Sequence, residues 1–226
     1  MFGVNAIPNY VGIPLTIGAI LVIINAVNLI DGIDGLSSSL CLIALSIYLY
    51  TYSDYNAWVI CVMCAGLAGC LVAFFNFNMF GKPEKNTKIF MGDSGSLTLG
   101  YLLSTLFVKY LSLSSENDDL DFRSIVLVYS ALIIPVFDVV RVVLFRLRIG
   151  QPIFGADRNH IHHRLLDTGL TQHKALGVIL FLAIFYIVFN VILYNITGNT
   201  TLIVVADIVI YILFSLVVSS KKARKS

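Results

Sequence analysis

The chain has 226 residues, of which 58% are hydrophobic and only 12% are charged, and its mean hydropathy is +0.89. Soluble domains carry about 25% charged residues, so this composition excludes an ordinary soluble domain. The 15 basic and 13 acidic residues give a net charge of +2, and nucleic acid is not among the expected partners.

Seven apolar stretches follow one another along the chain, each close to the roughly 17 to 25 residues that cross a bilayer as a helix. They must be helical because a single strand cannot satisfy its backbone groups in hydrocarbon. We therefore predict an all-α, polytopic membrane helix bundle that forms one integral-membrane domain over residues 1–226. The predicted spans are about 13–30, 36–53, 57–77, 95–112, 124–145, 174–196 and 200–219.

Basic residues predict the orientation, because Lys and Arg near span ends mark the cytosolic side of a membrane. If the spans alternate in direction, 12 basic residues fall on one side and Lys109 and Arg123 on the other. This count predicts a cytosolic C-terminus. The 12 are Lys82, Lys85, Lys88, Arg146, Arg148, Arg158, Arg164, Lys174, Lys221, Lys222, Arg224 and Lys225.

The first polar segment, residues 25–35, joins the first two spans and reads NAVNLIDGIDG. Asp31 and Asp34 are three residues apart, which places both carboxylates on one side of a helical turn, and Gly32 and Gly35 loosen the backbone there. Irregular backbone at the membrane edge must line protein or water. A solvated turn whose Asp caps the next helix explains Asp34 alone, so we favour a polar site.

The second polar segment, residues 82–96, is a basic loop that leads into the fourth span and reads KPEKNTKIFMGDSGS. Asp93 lies at a predicted helix N-terminus, where free N–H groups and the helix dipole favour anions. Carboxylates and substrate phosphates are the usual ligands of Mg²⁺. The segment therefore indicates a metal and phosphate site, with plain N-cap chemistry by Asp93 or Ser94 as the alternative.

The third polar segment, residues 146–164, contains three of the four histidines of the chain within four residues. They are flanked by Asp157, Arg158 and Arg164. Zinc is disfavoured because no Cys or distant His is available at a matching face, so we favour phosphate binding or proton transfer. A basic patch for lipid headgroups is the alternative. The three histidines are His160, His162 and His163.

Three charged residues, Asp138, Arg141 and Asp207, lie inside predicted spans, where ionisable groups indicate function. Asp138 and Arg141 are three residues apart on one helix and are predicted to pair, whereas Asp207 has no obvious partner. These residues make a polytopic transporter the main alternative function. Transporter sites tend to lie near the midplane between repeats, but here the polar segments lie at span ends and no internal repeat is evident.

Together, the motifs NAVNLIDGIDGL, KIFMGDSGS and DRNHIHHRL, in this order, resemble those of the polyprenyl-phosphate N-acetylhexosamine-1-phosphate transferases. The likeness covers nearly the whole chain. It implies transfer of an N-acetylhexosamine 1-phosphate, most simply GlcNAc 1-phosphate, from a UDP-N-acetylhexosamine to undecaprenyl phosphate, with release of UMP. This reaction would start a lipid-linked cell-envelope glycan. The resemblance further implies Mg²⁺ as cofactor, with Mn²⁺ as an alternative, and a bacterial cytoplasmic membrane with the active site facing the cytosol.

The resemblance also assigns roles to residues at the matching positions. Asp93 is expected to ligate Mg²⁺, Phe90 to stack on the uracil, and the histidines to hold the sugar or phosphates. Catalytic roles are expected for Asp31, Asp34, Asp93, His160, His162 and His163. Substrate binding is expected for Asn28, Gly32, Ile33, Lys88, Phe90, Arg158 and Arg164.

One departure from the family concerns a further Asp-Asp motif upstream of the first span, which this chain does not contain. We therefore expect that several N-terminal helices of the family are missing, and a catalytically inactive remnant is a third alternative. The sequence leaves open which N-acetylhexosamine is used, which glycan is made and whether the protein forms a homodimer.

Overall fold

The computed structural model describes residues 8–116, 122–152 and 159–223, and within these ranges the chain is helical without a β-strand. The predicted all-α membrane bundle is confirmed. The helices are α1 (Asn9–Ile30), α2 (Leu36–Asp54), α3 (Trp58–Phe80), α4 (Gly92–Glu116), α5 (Phe122–Ser130), α6 (Ile133–Arg148), α7 (Ile161–Asp167), α8 (Gln172–Thr197) and α9 (Thr200–Ala223), with a short 3₁₀ turn at Pro83–Lys85.

Six of these helices are long and apolar enough to cross a membrane, namely α1, α2, α3, α4, α8 and α9. Each coincides with a predicted span and differs from it by no more than four residues at either end. The protein is therefore a multi-pass membrane protein.

The fifth predicted span, residues 124–145, corresponds to two helices that together are long and apolar enough for one broken span. They are α5 and α6, which meet at an angle of 61°. Pro135 explains the break, because its ring clashes with the carbonyl of residue i−4 and it has no backbone N–H to donate to that carbonyl. The carbonyl that loses its partner belongs to Ala131, which lies in the turn between the two helices.

Helix α1 packs most closely on α4. A Cβ atom added to Gly100 would lie 2.7 Å from Ile24 Cα, so the two backbones are in direct contact. Small residues permit such approaches in membrane proteins. Helices α2 and α3 form a second pair, and the short helix α7 packs against α8 and α9.

This packing gathers three connections at one end of the bundle, which we call the site end. They are residues 31–35 between α1 and α2, residues 81–91 between α3 and α4, and the described part of the α6 to α8 connection, residues 159–171. Each of the three polar segments contributes to the site end.

Candidate active site

Residues 31–35, which we call the Asp-Gly turn, begin where α1 ends and are held in place by α3. Gly35 has a φ of +77°, a conformation that glycine adopts without strain. Its N–H donates a hydrogen bond of 2.7 Å to Asn78 Oδ1, and Asn78 Nδ2 donates one of 2.9 Å to the carbonyl of Ile89. Asn78 thus joins the first and second polar segments. It was not predicted as a site residue, although the two amides Asn76 and Asn78 among the apolar residues at the end of α3 were a usable signal.

Lys88 crosses between the same two segments. Its Nζ lies 2.6 Å from Asp34 Oδ2 and also donates to the carbonyl of Asn78. The same ammonium lies 5.8 Å from the centre of the Phe90 ring, within the range of a cation–π contact. The Phe90 side chain is 75% exposed, so one face of the ring is available to a planar ligand.

Asp93 is brought to the Asp-Gly turn by the close packing of α1 on α4. Asn28, near the end of α1, donates hydrogen bonds to Asp93 Oδ1 at 3.3 Å and to Ser96 Oγ at 2.8 Å. Ser96 in turn donates to the carbonyl of Gly92 at 3.0 Å. Asp93 itself is exposed, and its carboxylate is open to a ligand at the start of α4.

These side chains line one cleft of about 480 Å³ at the site end, a volume in the range of small-molecule sites. All eight residues predicted as site residues in the first two polar segments are among its lining residues, so the structure brings them together. They are Asn28, Asp31, Gly32, Ile33, Asp34, Lys88, Phe90 and Asp93; Asn78, Met91, Gly92, Ser96 and Gln172 complete the lining.

The cleft concentrates negative charge. Burial, and then the nearby carboxylates of Asp34 and Asp93, raise the pKa of Asp31 to about 6. Among the described residues, no three His, Cys, Asp or Glu side chains group closely enough to hold a metal ion by themselves. Mg²⁺ is usually held by one or two carboxylates together with substrate phosphates, so Asp93 and Asp31 fit a metal that shares its coordination with a diphosphate.

The histidines stand behind the cleft and do not line it. His162 is 1% exposed and packs against Gly32, where an added Cβ would lie 2.0 Å from His162 Nε2. Burial, and then the neighbouring His163, lower the pKa of His162 to about 4, so this imidazole is neutral at pH 7. Gly32 thus allows the third polar segment to contact the first.

The other predicted residues of the third segment are placed differently. His160 is buried and occupies the N-cap position of α7 without a side-chain capping bond, and His163 is half-buried with its ring centre 4.2 Å from that of His162. The Arg164 guanidinium turns away from the cleft and donates to the Ser215 side chain and carbonyl, both at 2.7 Å, so that it anchors α7 to α9. Arg158 lies outside the described residues.

Asp138 was predicted only to pair with Arg141, and this pair is confirmed at 2.8 Å. The structure adds that Asp138 also contacts residues 159–164, the described part of the third polar segment with the three histidines, which we call the histidine segment. Asp138 Oδ2 lies 2.8 Å from His160 Nδ1, and the Asp138 carboxylate accepts the Ile161 N–H. The sequence could not have indicated this contact, because Asp138 and His160 are 22 positions apart and lie on different elements.

Asp207, for which the sequence offered no partner, is fully buried between α8 and α9. Asn190 Nδ2 donates to Asp207 Oδ2 at 3.1 Å and to Ser130 Oγ at 2.9 Å. These residues lie towards the end of the bundle opposite the site end and do not line the cleft.

Comparisons with known proteins agree with the motifs. A family model described as glycosyl transferase family 4 matches residues 1–111. A Bacillus subtilis protein named "Probable undecaprenyl-phosphate N-acetylglucosaminyl 1-phosphate transferase" is 34% identical over 200 residues, which cover 88% of this chain and 52% of that protein.

Two further relatives have related names. A decaprenyl-phosphate N-acetylglucosaminephosphotransferase of Mycolicibacterium smegmatis is 31% identical over 90% of this chain and 52% of its own length. An Escherichia coli undecaprenyl-phosphate alpha-N-acetylglucosaminyl 1-phosphate transferase is 31% identical over 73% of this chain and 43% of its own length. The chain spans about half the length of the curated relatives it matches.

Proposed function

We infer the activity from one premise, that this chain belongs to glycosyl transferase family 4. We propose that the protein transfers N-acetylglucosamine 1-phosphate from a UDP-sugar to undecaprenyl phosphate and releases UMP. The observation that carries the proposal is the polar cleft at the site end, in which carboxylates, an ammonium group and an exposed aromatic ring lie together although they come from two separate segments of the sequence.

The nucleotide end of the cleft is formed by Phe90 and the Asp-Gly turn. The ring of Phe90 is largely exposed and is held by the Lys88 side chain beside it, so it offers a flat apolar surface on which a uracil can stack. Gly32 and Ile33 line the same cleft, and the absence of a side chain at Gly32 lets His162 pack directly behind this part of the wall.

The phosphate end lies between Asp31 and Asp93. A diphosphate is negatively charged and cannot approach these carboxylates unless their charge is offset. Asp93, with Asp31 beside it, would hold Mg²⁺, which when bound would neutralise charge on the diphosphate and on the departing UMP. Asn28 fixes the Asp93 carboxylate through its amide, so that the chain orients the ligand group before the substrate arrives.

The proposed step is a substitution at phosphorus. An oxygen of the lipid phosphate forms a bond to the β-phosphorus of the UDP-sugar, and the bond from that phosphorus to the bridging oxygen breaks. UMP leaves with the bridging oxygen, and the product is a lipid diphosphate sugar. Such reactions depend chiefly on positioning and charge neutralisation, which a cleft of fixed polar groups provides.

The location of the cleft fits an acceptor whose phosphate lies at the membrane surface. A nucleotide sugar is water-soluble and a polyprenyl phosphate is not, so the two meet at a boundary such as the site end. The excess of basic residues at this end supports a cytosolic orientation in a bacterial cytoplasmic membrane. Whether the protein acts as a homodimer has no bearing on this proposal.

The test is transfer activity of the protein expressed from its complete gene and reconstituted in liposomes. Radiolabelled UDP-GlcNAc and undecaprenyl phosphate are supplied with Mg²⁺, with Mn²⁺ or with a chelator. We expect a lipid-linked product that requires the divalent ion. Asp93→Ala should lower turnover by at least about 100-fold, because charge stabilisation of that size is typical of one essential group.

Asp54→Ala is the matched control, because Asp54 is an exposed aspartate at the opposite end of the bundle, and it should keep wild-type turnover. Uptake of the intact UDP-sugar into the liposomes without product would indicate the transporter. Neither product nor uptake would indicate an inactive remnant, and either result contradicts the proposed function.

A further inference from the structure

We infer that Asp138 is a positioning residue for the histidine segment, which it holds by fixing the tautomer of His160 and the start of α7. The catalytic consequence rests on the proposed function, whereas the positioning rests on geometry alone. Asp138 lies on α6, is 1% exposed and accepts hydrogen bonds from three separate parts of the chain.

The first contact fixes the tautomer. Asp138 Oδ2 lies 2.8 Å from His160 Nδ1. A carboxylate can only accept hydrogen bonds, and the same carboxylate is paired with Arg141 at 2.8 Å, which favours its ionised form. The proton must therefore sit on Nδ1 of His160. In the neutral imidazole this leaves Nε2 as the nitrogen that can accept a proton or a hydrogen bond.

The second contact fixes the backbone. The N–H of Ile161 lies 3.0 and 3.1 Å from the two carboxylate oxygens of Asp138. Arg141, the ion-pair partner of Asp138, also donates to the carbonyl of Asn159. The three residues before and at the start of α7 are thus held from α6, by a carboxylate and the guanidinium beside it.

The third contact braces the carboxylate itself. Tyr211 on α9 donates its hydroxyl to Asp138 Oδ1 at 3.2 Å. With Oδ1 held by Arg141 and Tyr211 and Oδ2 facing His160, the carboxylate has little freedom to rotate. The arrangement is more than an ion pair that neutralises a buried charge, because Arg141 alone would serve that purpose.

The position matters because the next histidine touches the Asp-Gly turn. The rings of His160 and His162 are parallel, with centres 6.0 Å apart, and His162 packs on Gly32, the residue between Asp31 and Ile33 of the cleft. A displacement at the start of α7 is therefore passed on to the wall of the cleft. Asp138 controls the geometry of the cleft without lining it.

The test begins with the tautomer. The protein is expressed from its complete gene with ¹⁵N-labelled histidine, and long-range ¹⁵N–¹H spectra in nanodiscs identify the protonated nitrogen of His160, assigned through His160→Ala. We expect the Nδ1–H form in the wild type and in Tyr211→Phe, a matched control that removes one donor to Asp138 and leaves the His160 contact intact. We expect the Nε2–H form in Asp138→Asn, whose amide can donate to Nδ1.

Kinetics then test the consequence. Asp138→Asn should lower kcat by about 100-fold, since an Asp to Asn change behind a histidine is known to act through the wrong tautomer, while KM for UDP-GlcNAc changes less than about threefold. In a His160→Ala background the same change should lower kcat less than about threefold further, because residues acting as a unit are non-additive. Tyr211→Phe loosens the carboxylate but leaves its contacts with His160 and Ile161 in place, so its loss of kcat should be much smaller than that of Asp138→Asn.

An Nε2–H His160 in the wild type would overturn the inference, and so would fully additive losses in the double variant. The wild-type spectrum decides the tautomer even if Asp138→Asn does not fold. A wild type that makes no lipid-linked product would contradict the proposed function. The spectrum of His160 does not depend on activity, so it would still decide whether Asp138 fixes the tautomer.

Discussion

Among the described residues, two carboxyl groups are buried between the helices, and their surroundings differ. Asp138 accepts hydrogen bonds from Arg141, His160, Ile161 and Tyr211. Asp207 accepts a hydrogen bond at Oδ2 from Asn190, and the Tyr129 hydroxyl is the other polar group that faces its carboxyl. The first carboxyl has an ion-pair partner within its own helix, and the second has none in the described part of the chain.

The difference separates two uses of a polar group in a membrane bundle. Removing a partner from a buried ion pair leaves an uncompensated charge and is strongly destabilising, so the Asp138 group holds its neighbours in one arrangement and transmits that arrangement to the cleft. The Asp207 group joins α5, α8 and α9 by modest hydrogen bonds, which in membranes average about 0.6 kcal/mol. Changes near the cleft should therefore affect catalysis, and changes near Asp207 should affect mainly stability.

The largest effect is expected where the histidine segment meets the cleft. In Gly32→Ala the new methyl group would lie 2.0 Å from His162 Nε2, so the turn or α7 must move by an ångström or more. A misplacement of about 1 Å can cost roughly 100-fold in rate, and we expect a loss of that order in transferase turnover. The control is Gly66→Ala on α3, where an added Cβ meets nothing within 4 Å; equal losses in both variants would refute the contact.

A smaller effect, on stability, is expected at the other carboxyl. Asn190→Leu removes the amide that donates to Asp207 and Ser130 and leaves buried polar groups unsatisfied, which costs about 1–3 kcal/mol. We expect a lower thermal midpoint in detergent and turnover within about threefold of the wild type. Asn76→Leu is the control, because Asn76 is exposed on α3 and bonds only within its helix. A loss of turnover beyond tenfold without unfolding would show that the Asp207 group also acts on the cleft.

Near the cleft, His162 and Asp31 should make the stability of the protein depend on pH in opposite directions. The pKa of His162 is lowered from 6.5 to about 4 by burial, so the unfolded chain binds more protons and stability is lost as the pH falls from about 6.5 towards 4. The pKa of Asp31 is raised from 3.8 to about 6 by burial and the nearby carboxylates, so the folded chain binds more protons and stability is gained as the pH falls through 6. The two contributions oppose each other.

Single substitutions separate these contributions in thermal melts at pH 7 and pH 5. Acidification should lower the midpoint of Asp31→Asn, where only the histidine contribution remains, and raise that of His162→Gln, each by about 3 °C for a membrane protein of this size. If acidification shifts the thermal midpoints of both variants in the same direction, the opposite contributions of Asp31 and His162 to stability are contradicted.

The smallest effect is expected for Asp207→Asn. The asparagine keeps the shape of the side chain and can accept the Asn190 hydrogen bond, and the site offers no cation that would be left unpaired among the described residues. We expect turnover within about twofold of the wild type and a change in stability of about 0.5 kcal/mol or less. A change as large as that of Asn190→Leu would show that Asp207 carries a charge that its surroundings require.

Asn28, Asp31, Asp34 and Asp93 could be predicted from the sequence because each is polar within an apolar context and lies near a glycine or a helix start. The roles of Gly32, Ile33 and Phe90 came from the family resemblance. Asn78 had a weaker signal, because it is one of two amides near the end of an apolar helix and the sequence does not tell which of them faces the cleft. The bend between α5 and α6 was missed because Pro135 lies in an unbroken apolar run, where hydropathy continues although the backbone hydrogen bonding does not.

The sequence by itself determined the class of this protein, its membrane helices and the polar segments that carry its chemistry, because the length and apolarity of a helix in lipid follow from local composition. Only the tertiary structure decided which of those segments touch. Three contacts depend on helices packing side by side: Gly32 touches His162, Arg164 bonds to α9, and Asp138 holds the start of α7. Side-chain contacts between distant parts of a chain leave no local trace in its sequence.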